Sequence, residues 1–73
     1  MIESEMIAAN VSDLTLEFGA RLDASVELVM KNCSTEEFQQ YRTAVAKVMA
    51  EMLLEIMNPV YAQHPKLKPK QLL

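Results

Sequence analysis

Few side chains in this 73-residue chain could carry chemistry: one cysteine, Cys33, one histidine, His64, and ten carboxylates. A structural zinc site takes four Cys or His ligands, so these two cannot close one, and a lone cysteine forms no internal disulfide. Cys33 sits beside an expected helix N-terminus, a setting that can lower a thiol pKa. No histidine or resolving cysteine lies near it in sequence, which favours packing over reactivity.

The carboxylate pairs Asp23/Glu27 and Glu51/Glu55 each lie one helical turn apart. Di-iron carboxylate bundles add a Glu-x-x-His motif from two helices. Here the residue three before His64 is Tyr61, so the motif is absent and the acids read as solvated faces. The sole glycine, Gly19, falls inside a helical pattern, so no Gly-rich turn exists to cradle a phosphate or expose a nucleophile. The sequence therefore predicts no catalytic residue, no metal, no cofactor and no enzyme. Of the six methionines, Met49 and Met52 fall on an apolar helix face, where core filling is the simpler role.

The elements that position these residues are helices. Larger apolar side chains recur at Ile7, Val11, Leu14, Phe18, Leu22, Val26 and Val29, in steps of three and four. That period predicts a helix over 4–31 with this stripe facing its partner. The short polar residues Asn10, Ser12 and Asp13 are the weak point where it could break, because they compete for backbone hydrogen bonds.

A stop and a start follow at once. Asn32 is suited to the left-handed C-terminal conformation. Ser34 and Glu37 have capping-box spacing, with Cys33 and Phe38 in the two staple positions. So short a link makes the helices antiparallel neighbours. The second helix is expected over 35–57, with Phe38, Tyr41, Val45, Val48, Met52 and Ile56 on one stripe. Met49 and Leu53 help widen its apolar arc to roughly 200°, beyond the ~100° that one partner helix covers.

Pro59 lacks a donor and clashes with the carbonyl four residues back, which ends or kinks the helix and leaves a short helical turn near 59–63. The pre-proline residues His64 and Lys68 predict an extended C-terminal tail. The chain thus divides into a hairpin domain, 1–64, and a basic tail, 65–73. Residues 1–60 hold all ten acids and four bases, whereas 61–73 hold three lysines. An acidic body disfavours nucleic acid as partner of the folded part. Lys66, Lys68 and Lys70, with Leu67 on the other side, form a candidate docking tail for an acidic partner.

The longest apolar-rich stretch is interrupted by Glu51 and Glu55, which argues against a membrane, and the acidic opening lacks signal-peptide character. A cytoplasmic protein is the expectation.

An all-α hairpin of this size with a surplus apolar arc predicts a homodimeric four-helix bundle. Its expected interface comprises Phe38, Tyr41, Val45, Val48, Met49, Met52, Leu53 and Ile56. Arg21, Ser25 and Arg42 also fall within the arcs and are candidates for polar contacts across that seam. The function this supports is a small interaction or adaptor protein whose partner is itself or another protein. The alternative is a regulatory, antitoxin-like protein whose acidic body meets a basic partner while the lysine tail touches nucleic acid.

Overall fold

The structure, a computed structural model, describes residues 1–70 and is helical without strands among them. Helix α1 spans Glu5–Asn32, helix α2 spans Thr35–Met52, and a π-helical turn, Leu53–Met57, leads into helix α3, Asn58–Gln63. A 3-10 turn, Pro65–Leu67, follows. α1 packs along α2 as an antiparallel hairpin within an envelope of 45 × 19 × 16 Å.

α1 and α2 each begin where the sequence supplies a cap. Ser4 Oγ accepts the Ile7 N–H at 3.3 Å. At α2, the Glu37 N–H donates to Ser34 Oγ at 3.1 Å, and the Ser34 N–H donates back to the Glu37 carboxylate at 3.1 Å. Two orphan donors are thereby satisfied reciprocally. Glu37 is held below the ordinary carboxylate pKa, first by the Ser34 backbone N–H and then by the Ser34 hydroxyl.

α1 runs unbroken through Asn10–Asp13. Ser12 does not disturb it because its hydroxyl finds a partner across the hairpin. Asn32 does not turn left-handed. It closes α1 in helical conformation, its side-chain amide donating to Leu28 O at 2.9 Å, and Cys33 makes the exit in extended conformation.

The seam of α1 differs from the expected stripe. Its buried residues are Ala8, Ser12, Thr15 and Gly19, a small-residue row beside the bulky one. Small side chains let the helices approach closely, and long side chains from the second helix fill the space. Gly19 shows this directly, since a Cβ placed there meets the methyls of Met49 at 3.5 Å and Met52 at 3.6 Å. Ile7, Leu14 and Phe18 are consequently displaced to the flank and exposed.

The second helical run reaches Met57 as expected, and the short helix expected near 59–63 follows as α3, but its last turn before Pro59 is π-helical. The π turn absorbs the proline, with the Asn58 N–H bonding to Leu53 O, five residues back. One extra residue in a turn rotates everything beyond it by about 100°. In an unbroken α-helix Tyr61 falls about 160° from Val45, on the far side, and the π turn brings it back to about 60°. Tyr61, Val60 and Met57 then join Ala8 in the core, with Ile2, Val11, Leu16, Met52 and Leu67 packed around it. The core thus sits at the open end of the hairpin.

The tail is not extended from residue 65. His64 leaves the helical region before Pro65, as pre-proline sterics require, yet Pro65–Leu67 forms a helical turn whose Leu67 packs on the core. Lys68 returns to extended conformation before Pro69. The N-terminal segment meets this region: the imidazole Nε2 of His64 lies 2.7 Å from Ile2 O, and Ile2 holds a φ of 64°. Positive φ is sterically costly for a β-branched residue, so local contacts must hold it there.

Candidate interaction surface

Two broad faces flank the seam, each with an apolar groove. The first, about 490 Å³, is lined by Leu14, Thr15, Phe18, Val48, Met52 and Ile56, with no charged side chain. Leu14 is 63% exposed, Phe18 50% and Val48 49%, large values for apolar side chains gathered on one side of a small protein. The second groove, about 430 Å³, includes Leu16, Ala20, Met49, Leu53 and, at its border, the exposed Asp23. Thr15 and Met52 border both grooves, because they lie on the seam between the faces.

The residues expected at the dimer interface therefore separate. Val45 is buried within the hairpin. Val48, Met52 and Ile56 line the first groove, whereas Met49 and Leu53 line the second with Met52. Tyr41 is partly buried, and its hydroxyl lies 2.6 Å from Ser25 Oγ. Ser25 spends its one proton on Leu22 O at 2.6 Å, so the tyrosine is the donor of the pair. Phe38 is partly buried with the Arg42 guanidinium 5.5 Å above its ring. Arg42 also donates to Gln39, so within one hairpin it reaches no carboxylate of the neighbouring helix.

Leu14 and Phe18, with Ile7, are the residues that sequence reasoning misplaced, as part of the internal seam. The signal for their true position was the row Ala8, Ser12, Thr15, Gly19 at steps of four, three and four, together with a tyrosine hydroxyl that needed a buried partner. Cys33 is exposed at the hairpin tip. In the tail, Lys66 Nζ lies 3.5 Å from the Glu5 carboxylate, Leu67 is partly buried, and Lys68 and Lys70 are exposed.

Among the described residues no three His, Cys, Asp or Glu side chains converge to hold a metal ion, and no helix is long and apolar enough to cross a membrane. Comparison with protein-family models, curated proteins and solved structures finds no match for this chain.

Proposed function

We propose that this chain is a small helical interaction protein whose first partner is a second copy of itself, two hairpins joining as a four-helix bundle. Surplus surface carries this reading. The accessible area is 5453 Å². A compact monomer of 8.3 kDa exposes roughly 4,600 Å² by the usual mass scaling. The excess, on the order of 900 Å², is close to the ~800 Å² that each partner contributes to an interface of standard size. Shape agrees with area: the radius of gyration is 14.4 Å, against about 11 Å for a compact chain of this length. A hairpin that buries so little by itself gains most by covering a broad face.

A nucleic-acid role for the tail draws less support, because Lys66 faces Glu5 and Leu67 packs on the core. Sedimentation velocity across micromolar concentrations tests the dimer. The expected mass is twice 8.3 kDa, and a stable, cooperatively folding monomer overturns the reading.

A further inference from the structure

Resting on that reading, we infer that the second copy docks on the face of Leu14, Phe18, Val48 and Ile56, with the two-fold axis passing near Phe18 and Val48. The opposite face, with Met49, Leu53 and Asp23, then points outward.

Charge separates the two faces. Packing two copies through the second groove brings the Asp23 of each into the contact, and none of the residues lining that groove carries a compensating positive charge. An unpaired buried carboxylate is strongly unfavourable. The first groove asks no such desolvation of its lining. Toward the loop, Arg21 borders the recess beside Phe18 and Tyr41, and Glu37 borders the one beyond Tyr41. An apolar centre with a polar margin is the usual anatomy of a protein interface.

Symmetry is compatible with the same place. A two-fold contact joins a patch to itself, so overlap is greatest when the patch is centred on the element that carries it. Phe18 lies at the middle of α1, Glu5–Asn32, and Val48 lies at the middle of the helical run from Thr35 to Gln63. Leu14 and Ile56 extend the apolar surface from that midpoint toward the open end. An aromatic side chain half exposed at such a centre is the residue type that anchors interfaces. The hairpin's 45 by 19 Å outline is also large enough to supply the ~800 Å² each partner needs.

Four single variants of the full chain test the assignment by sedimentation equilibrium, with helical circular dichroism confirming that each is folded. Phe18→Glu and Val48→Glu are expected to weaken dimerisation at least about 100-fold, since each buries an unpaired charge at the axis. Ala20→Glu and Ala50→Glu, on exposed positions of the second groove, are expected to change the dissociation constant less than about threefold, as outward surface substitutions do. If either glutamate variant of the first face loses its helical signal, Phe18→Ala or Val48→Ala replaces it, with at least about tenfold weakening expected for a central contact. The reverse pattern, dissociation by Ala20→Glu and Ala50→Glu only, overturns the face assignment and leaves the dimer standing. A monomeric parent chain overturns the dimer itself and the assignment with it.

Discussion

The hydroxyls of Ser12 and Tyr61 lie 2.6 Å apart, both buried, joining residues 49 positions apart in sequence. This bond depends on two features of the chain at once. α1 must present its small-residue row inward, and the π turn must rotate α3 so that Tyr61 points back to it. Each side chain removes the burial cost of the other, since a buried hydroxyl without a partner is strongly disfavoured.

Tyr61→Phe is therefore expected to destabilise the protein by about 1–2 kcal/mol, the cost of leaving the Ser12 hydroxyl to its own helix backbone. Tyr41→Phe removes a bond of the same 2.6 Å length to Ser25, but that site is only partly buried, and about 0.5 kcal/mol is expected. Urea unfolding of the two variants checks the order. The double variant Ser12→Ala/Tyr61→Phe should lose less than the sum of its parts, because neither group is then left unpaired. Additive losses would mean that the two hydroxyls are not energetically coupled.

Gly19→Ala is expected to stabilise the hairpin by roughly 0.5–1 kcal/mol, the ordinary gain on replacing glycine inside a helix. Its new methyl meets only the ends of two flexible methionines, at 3.5 and 3.6 Å. Thermal unfolding reads the effect as a rise in midpoint. A lowered midpoint would show that Met49 and Met52 are packed too tightly to tolerate even a methyl.

The helices, the hairpin and the cap were legible because each rests on local rules: three-and-four spacing, serine three residues before glutamate, a short polar link. The seam was not, because periodicity locates an apolar face to within about one residue and cannot say whether bulky or small side chains pack inward. Ser12 illustrates the difficulty. As a short polar residue it looked like a break in α1, and only a tyrosine 49 residues away makes it a core residue. The π turn was equally hidden. Pro59 signals that an α-helix cannot pass unchanged, but whether the chain stops, kinks or widens depends on what burial follows, here Val60 and Tyr61. The interaction surface inherits these misses. Once the seam shifts by one residue, Leu14 and Phe18 move from inside the hairpin to its face.

The Ser34–Glu37 box predicts a pH dependence with a definite sign. The folded carboxyl of Glu37 titrates below the ordinary 4.5, so its contribution is fully present above that value. It is lost as the pH falls through the lower folded value. Glu37→Gln, which keeps the shape of the cap but not its charge, should flatten the acid limb of a plot of thermal midpoint against pH by lowering the neutral plateau toward the acid value. Ser34→Ala should lower that plateau, by about 1 kcal/mol, the usual cost of losing an N-cap. An unaltered acid limb in Glu37→Gln would assign the acid sensitivity to other carboxylates.

The tail is expected to act through Leu67 and not through its lysines. Leu67 packs against the core formed by Ala8, Met57, Val60 and Tyr61, so Leu67→Ala should cost about 1–2 kcal/mol for a partly buried leucine. Lys66 reaches Glu5 at 3.5 Å, but both side chains are more than half exposed, and such a pair contributes at most a few tenths of a kcal/mol after solvent screening. Lys66→Ala should accordingly leave the unfolding midpoint within about 0.5 kcal/mol of the parent. Truncation before Pro65 should reproduce the Leu67→Ala loss and little more. If the lysine substitutions proved as costly as Leu67→Ala, the Pro65–Leu67 turn would be held by charge, and its stability would fall with added salt. A loss that is insensitive to salt and confined to Leu67 ties the tail to the core at the open end of the hairpin.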